Sequence, residues 1–268
     1  MLFGDHLVVL RGGGDLATGV AWRMRRAGFP VVILELARPL AIRRRVAFSS
    51  VVLEGEMVLE GIKASLVASP SDAIPVADRG EVAVTVSADL PEFSRPPSVL
   101  VDCRLAKRNI DTRIDQARLV VGLGPGFDAG IDCDAVVETK RGHRLGKVVW
   151  DGTAAPDTGV PGHVGGESAR RVLRAPGPGP VAWSVDIGDA VVSGVPVGKV
   201  GETAVVAPIS GVVRGLITPG HIAEEGLKIG DIDPRGERSA CFEISDKAMS
   251  VGGGVLEAVL TRLDRESM

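Results

Sequence analysis

The run Val8-Val9-Leu10-Arg11-Gly12-Gly13-Gly14-Asp15-Leu16-Ala17-Thr18-Gly19 constrains this chain more than any other. A short apolar segment passes through three glycines into a helically spaced pattern (Val20, Met24, Ala27) that stops at Gly28. A second apolar segment, Val31-Val32-Ile33-Leu34, follows and ends in Glu35. The order is strand, glycine turn, helix, strand, with an acid at the second strand's end. Gly12-x-Gly14-x-x-Ala17 has the spacing of a dinucleotide-binding glycine fingerprint. The first glycine allows the tight turn, the second lets the backbone approach a pyrophosphate, and the small third residue lets helix pack on strand. The helix start offers N–H groups and a positive dipole end to phosphates. Gly12, Gly13, Gly14, Asp15, Leu16 and Ala17 are therefore the expected cofactor-binding turn. Glu35, roughly 20 residues beyond the glycines, is expected at a ribose hydroxyl. The alternative is a turn whose glycines serve packing alone.

Arg38 follows closely, where an arginine can accept a 2′-phosphate, whereas Glu35 favours an NAD-like over an NADP-like ligand. Pro39 suits a first helical turn, and Ile42, Val46 and Ser49 continue a helical stripe. Val51 to Ala68 reads as extended hairpin segments, Pro70 to Asp78 as a helix. Apolar runs at 81–86, 98–102 and 117–122 then point to a parallel sheet covered on both faces. Ligands bind such sheets beyond the C-terminal strand ends, which makes Asp89, Asp102 and Lys107 further candidates, or else ordinary loop charges. Gly122 to Gly130 is either an anion-binding nest or a tight connection. Asp132 to Trp150 reads as a hairpin around Arg141-Gly142-His143. The glycine- and proline-dense stretch 151–166 reads as a working loop. His143 and His163 fall in no triad or metal spacing and read as loop histidines.

Composition excludes some classes. The net charge of −3, with 3% aromatics and no tyrosine, supplies neither a phosphate-tracking surface nor a base-stacking platform, so no nucleic acid partner is expected. Cys103, Cys133 and Cys241 stand far apart without CxxC spacing, which argues against a disulfide framework or a metal bound by the protein itself. No stretch reaches the ~20 apolar residues of a membrane span, and the expected location is cytoplasmic.

Ala175-Pro176-Gly177-Pro178-Gly179-Pro180 marks a domain boundary. Beyond it, 187–194, 206–217 and 219–226 repeat a grammar of short strands and glycine turns. This half-repeat resembles the biotinyl and lipoyl carrier fold. Carriers of that kind hold a modifiable lysine at a hairpin tip; here the tip falls near Glu202 to Ala204, and Lys199 lies on the incoming strand. Neither biotin nor lipoate is expected. Lys228 to Arg235 reads as a clasp onto the first domain, and Gly252 to Arg265 as a helix with Leu256, Val259, Leu260 and Leu263 on one face. The expected fold is α/β: a Rossmann-like parallel sheet over 1–130, a connecting β and loop region over 131–175, a biotinyl/lipoyl-like barrel-sandwich over 176–250, and a C-terminal helix over 251–268.

The runs Val8 to Gly19, Gly28 to Leu36, Arg38 to Val46, Gly122 to Gly130, Arg141-Gly142-His143, 158–162 and Lys228 to Arg235 together give a further likeness. The chain resembles the YqeB-type family of selenium-dependent molybdenum hydroxylase system proteins, which has a Rossmann-like part similar to that of xanthine dehydrogenase accessory proteins. The resemblance implies a maturation role for a molybdenum hydroxylase, with a subunit of that enzyme as partner. It places no catalytic residue on this sequence.

Three readings follow. One is an accessory protein that binds a nucleotide, or the molybdenum cofactor in dinucleotide form, at Gly12 to Ala17 and passes on cofactor, sulfur or selenium. For group transfer Cys103 is the thiol nearest a strand end, though cysteine on an apolar strand also fits a core. The second is an NAD(P)-dependent oxidoreductase, using a group such as His143, Asp102 or Lys107. The third is a non-catalytic interaction protein. The fingerprint accommodates NAD(P) and a molybdopterin dinucleotide alike.

Overall fold

The structure, a computed structural model, describes residues 1–157, 159, 166–167 and 169–267. The chain divides into two compact units that do not follow chain order. The first comprises Met1–Ala37, Ala47–Thr158 and Ile244–Met268, the second Arg38–Val46 and Gly159–Glu243. The helix expected to stand alone at 251–268 is thus part of the first unit.

The first unit carries strands β1 (Val8–Arg11), β2 (Val31–Glu35), β3 (Glu56–Leu59), β4 (Ile62–Val67), β5 (Val82–Val86) and β6 (Val99–Asp102). It continues with β7 (Leu119–Leu123), β8 (Asp128–Ala129), β9 (Ala135–Val137), β10 (Val148–Val149) and β11 (Gly152–Thr153). Nine of these make one sheet in the order β10-β9-β7-β6-β1-β2-β5-β4-β3, while β8 and β11 pair separately. The strands from β9 to β4 in that order run parallel, and β10 and β3 run antiparallel at the two edges. Register places Gly122, Asp102, Arg11, Leu34 and Thr85 in one row across the C-terminal strand ends.

Helices α1 (Asp15–Ala27), α2 (Val51–Glu54), α3 (Pro70–Asp78) and α4 (Asp246–Ser267) complete this unit. Side chains alternate across a strand, so Val9, Val32, Leu34, Ala83 and Leu100 share a face, and Ala73, Ile74 and Ala77 of α3 cover it. Ile33 and Val137 point to the opposite face, against Gly13 and against Gly254 of α4. There α1 and α4 touch backbone to backbone. A Cβ added at Gly19 would lie 2.3 Å from the Ala248 carbonyl oxygen, and one at Gly252 would lie 2.4 Å from that of Gly19. The buried stripe of α4 is accordingly Ala248, Val251, Val255, Ala258 and Val259. The leucine stripe expected there is not the buried one, since Leu260 is 41% exposed. Small residues win this interface because only they permit so close a crossing.

The second unit contains β12 (Val172–Arg174), β13 (Gly179–Trp183), β14 (Ala190–Val191), β15 (Pro196–Val200), β16 (Thr203–Val206), β17 (Gly211–Leu216), β18 (Ile222–Ala223) and β19 (Lys228–Asp233). They form two antiparallel four-stranded sheets, β12-β19-β17-β14 and β16-β15-β13-β18. Leu173, Val181, Val197, Val213, Ile229 and Ile232 belong to one core. Arg171 and Arg214 both pair with the buried Asp231.

The architecture corrects the expected one. In place of a Rossmann-like parallel sheet and a biotinyl/lipoyl-like barrel-sandwich, the chain forms one large mixed sheet and three smaller antiparallel sheets. Apolar runs report burial, whereas direction is set by the connections. The two residues Glu60-Gly61, both at positive φ, join β3 to β4 and allow only an antiparallel return. The crossover from β2 likewise contains no long helix over 39–49. It has short 3-10 turns at Arg44–Val46 and Phe48–Ser50. The run expected to be a clasp, 228–235, instead supplies β19, an inner strand of the second unit. The β15–β16 hairpin turns between Val200 and Thr203. Among the described residues no helix is long and apolar enough to cross a membrane.

Candidate functional site

The candidate site lies where β1 gives way to α1. Gly12 takes φ +94°, which an L side chain resists, and its N–H donates to the Leu34 carbonyl at 2.8 Å. Gly13 is pressed against β2 and the 47–50 turn: an added Cβ would lie 3.0 Å from Ile33 Cγ2 and 3.0 Å from Ser49 N. The Gly13 carbonyl accepts from Ser49 N at 2.8 Å, and Phe48 N donates to Thr18 Oγ1 at 2.9 Å. Both contacts pin Phe48–Ser50 onto the turn. Ser49 Oγ, wholly buried beside Gly13, has no hydrogen-bond partner among the described residues.

Gly14 differs from both neighbours. It caps α1 in extended conformation (φ −63°, ψ −177°) without a side-chain cap, and among the described residues beyond its chain neighbours no atom comes within 4 Å of where its Cβ would be. The first turn of α1, Asp15-Leu16-Ala17, thus starts at a residue that supplies no side-chain cap. Leu16 and Ala17 are themselves buried.

Glu35 stands against this turn. Its Oε2 accepts the Gly13 N–H at 2.7 Å and its Oε1 the Leu36 N–H at 2.7 Å. Burial raises its pKa while the Leu36 and Gly13 amides pull it down. A carboxylate has about four lone-pair sites, so each oxygen retains one after these bonds. Arg38 is exposed and is grouped with the second unit.

Beside the glycine turn the end of β6 carries a charged network. Gly12 packs on the Cys103–Arg104 backbone, at 3.4 Å from an added Cβ. Arg11, 2% exposed, makes two bonds to Asp111 at 2.7 and 2.8 Å. Arg104 bridges Asp111 at 2.7 Å and the buried Asp102, which also accepts from Thr112 Oγ1 at 2.6 Å. Arg11, with Arg104, holds the Asp111 carboxyl down at about 2. Asp102 is therefore committed to structural bonds. Leu105 and Lys107 both adopt left-handed backbone (φ 56° and 65°), a strained conformation for such residues, and Lys107 faces Asp157 at 3.7 Å. Asp89 is an exposed loop residue.

Three of the 122–130 glycines have packing reasons. Added Cβ atoms at Gly122, Gly124 and Gly126 would collide with the Phe127 ring, Thr139 and the Lys107–Arg108 backbone. The tight-connection alternative describes this loop. His143 is exposed in the turn between β9 and β10, and His163 and 160–162 lie outside the described residues. Burial pushes the Cys103 thiol well up, Asp102 adding to it, and burial pushes Cys133 up to about 12. Neither is the accessible thiolate that group transfer needs.

Two groups escaped the sequence. One is the pairing of Arg11 and Arg104 with Asp111, whose signal is an arginine ending an otherwise apolar strand. The other is Lys247, in the first turn of α4, with Asp15, Arg141, Lys107 and Glu138 acting on its charge. Lys247 lies far along the chain from the glycines and carries no local signal.

No family model matches the chain. It is 47% identical over 258 residues to the uncharacterized protein YqeB of Escherichia coli (strain K12), a match covering 96% of this chain. The chain is similar to YqeB. That likeness supports the YqeB family name, and the chain spans about half (48%) of YqeB's own length. Among solved structures, the product-bound ectoine utilization protein EutE (DoeB) of Ruegeria pomeroyi aligns with 84% of this chain and 56% of its own, at 12% identity and a TM-score of 0.23. A succinylglutamatedesuccinylase/aspartoacylase of Rhodobacter sphaeroides aligns with 84% of this chain and 86% of its own, at 14% identity and a TM-score of 0.27. Likenesses this slight assign no role to any residue.

Proposed function

We propose that the chain binds a nucleotide-type ligand at Gly12 to Ala17 and serves the maturation of a selenium-dependent molybdenum hydroxylase, with the molybdenum cofactor in dinucleotide form as cargo. The observation that carries the binding reading is the open space over Gly14 at the uncapped start of α1. A phosphate there would meet backbone N–H groups and the positive end of the helix dipole. Glu35 supports the same reading, because it braces Gly13 and keeps lone pairs for a ribose hydroxyl. The family resemblance of the sequence runs Val8 to Gly19, Gly28 to Leu36 and Lys228 to Arg235 supports the maturation role.

The test is calorimetry on wild type and Gly14→Asp, with NAD, NADP, FAD, CTP and the cytidine and guanine dinucleotide forms of the molybdenum cofactor. Aspartate fits the φ of Gly14, meets no neighbour and is a favoured N-cap. The variant is therefore expected to keep or gain a few tenths of a kcal/mol of stability, while its carboxylate repels the phosphate and abolishes binding. Selective binding of a molybdopterin dinucleotide, lost in the variant, is the expected result. Tight NAD or NADP binding would redirect the reading to an oxidoreductase, and no binding at all would end it.

A further inference from the structure

We infer that residues 38–46 act as a strap that couples the glycine turn of the first unit to the edge of β17 in the second, so that loosening either end loosens the other. The inference needs no bound ligand. The strap is grouped with the second unit, while the chain on both sides of it, Met1–Ala37 and Ala47–Thr158, is grouped with the first. Both of its roots are tied to the glycine turn. On the incoming side Glu35 Oε2 accepts the Gly13 N–H at 2.7 Å. On the outgoing side Ser49 N donates to the Gly13 carbonyl at 2.8 Å, and Phe48 N to Thr18 Oγ1 at 2.9 Å. One residue, Gly13, thus holds one root by its N–H and the other by its carbonyl.

The middle of the strap is held by β17. β14 pairs with β17 at Gly211 and Val212, and Gly188 and Asp189 take up the Val213 carbonyl and N–H. Farther along the same strand the strap takes over: Leu216 N donates to the Ile42 carbonyl at 2.9 Å, and Arg44 Nε to the Leu216 carbonyl at 2.7 Å. Gly215 lets it lie so close, since an added Cβ would stand 2.8 Å from both Ile42 Cγ2 and the Ile42 oxygen. Arg43, itself buried, donates to the Ala240 and Glu243 carbonyls at 3.0 and 3.1 Å. Little slack separates the two anchorages. Only Arg45, Val46 and Ala47 stand between Arg44 and Phe48, and Val46, Ala47 and Phe48 are buried. Arg44–Val46 and Phe48–Ser50 are 3-10 turns, closed by bonds of 3.0 Å from Val46 N to the Arg43 carbonyl and from Ser50 N to that of Ala47. Such turns lengthen only by breaking those bonds. A displacement at Leu216 therefore reaches Gly13 through a bonded, packed connection.

The experiment is amide hydrogen exchange followed by NMR on the full chain, in wild type, Gly215→Ala and Thr18→Val. Gly215→Ala pushes Ile42 away from β17 at the second-unit end. Thr18→Val removes the acceptor of Phe48 N at the first-unit end. Two adjacent amides supply the contrast: Leu216 N is bonded to the strap, Ile217 N to the Ile229 carbonyl at 2.8 Å. In Gly215→Ala, exchange at Leu216 is expected to quicken roughly ten- to a hundredfold, the scale of an overpacked contact. Phe48 and Ser49 are expected to quicken with it, and Ile217 to keep its wild-type rate. In Thr18→Val the same three amides are expected to quicken together. A Leu216 that quickens while Phe48 and Ser49 do not overturns the coupling. So does a Thr18→Val that frees Phe48 and Ser49 alone, or a Leu216 amide that Gly215→Ala leaves unmoved. The wild type gives a reading that depends on no variant's fold. Below the urea unfolding transition, Phe48, Ser49 and Leu216 are expected to share one opening, less costly than that of Ile217; separate openings overturn the strap. Either way the ligand reading above stands or falls on its own calorimetry.

Discussion

Arg11 ends β1 almost wholly out of water, and its charge is met chiefly by Asp111, whose own side chain is 45% exposed. The pair ties the pH response of the fold to one carboxylate. Asp111 titrates at about 2 in the folded chain against 3.8 for the free group. A depressed carboxyl contributes stability in full above its unfolded pKa and loses it as pH falls through the folded one. Denaturant midpoints are therefore expected to drop between about pH 4 and pH 2, and Asp111→Asn to flatten that limb. At neutral pH the same variant leaves Arg11 short of an acceptor and is expected to cost roughly 1–3 kcal/mol in chemical denaturation. A neutral-pH stability equal to wild type would show that Arg104 and the Ala88 carbonyl do not need Asp111 to hold this corner together. Glu35 has the opposite sign. Its raised pKa contributes stability below the unfolded value and loses it as pH rises through the folded one. Of these residues the sequence disclosed Glu35, because a fingerprint fixes its distance from the glycines. It did not disclose the Arg11–Asp111 pair, since residues 100 apart in the chain share no local pattern.

Among the elements of the first unit, α1 and α4 cross backbone against backbone. Gly19→Ala sets a methyl 2.3 Å from the Ala248 carbonyl oxygen, and backbone on both sides has nowhere to yield. Overpacking of this kind costs about 1–3 kcal/mol, and thermal unfolding is expected to fall accordingly. Gly253→Ala, with no atom near the added carbon, is expected to stabilise α4 slightly, as alanine is the better helix former. If both alanines behaved alike, the crossing would not be what those glycines are for. Strand positions were legible: the apolar runs at Val82–Val86, Val99–Asp102 and Leu119–Leu123 are strands, and Pro70–Asp78 is a helix. The antiparallel edges were legible too, since 51–68 and 132–150 read as hairpins, but helix facing was not. The edge strands β3 and β10 run antiparallel because short turns forbid a crossover. α4 buries alanines and valines where a leucine stripe drew the eye, because its partner's backbone comes too near for leucine.

At the scale of the whole molecule, a ligand that binds only the folded first unit adds stability by mass action. A nucleotide-type ligand at a hundred times its Kd is expected to add about 2.7 kcal/mol, read as a concentration-dependent rise in the unfolding temperature. Gly14→Asp should show no such rise, and a rise retained in that variant would place the ligand elsewhere. The division into units could not be read from composition. The proline- and glycine-rich stretch 175–180 lies inside the second unit and not at its edge, while the short insert Arg38–Val46 bears no mark of belonging with residues 159–243. The return of the chain to its first unit also has a temporal side. The face of α1 that α4 covers leaves the ribosome roughly 200 residues before its cover does, an interval of some ten to forty seconds at ordinary elongation rates. Throughout that interval Gly19 and its neighbours present bare helix backbone and apolar side chains to the cell, so the nascent chain passes through a stage that invites chaperone escort before its glycine turn is complete.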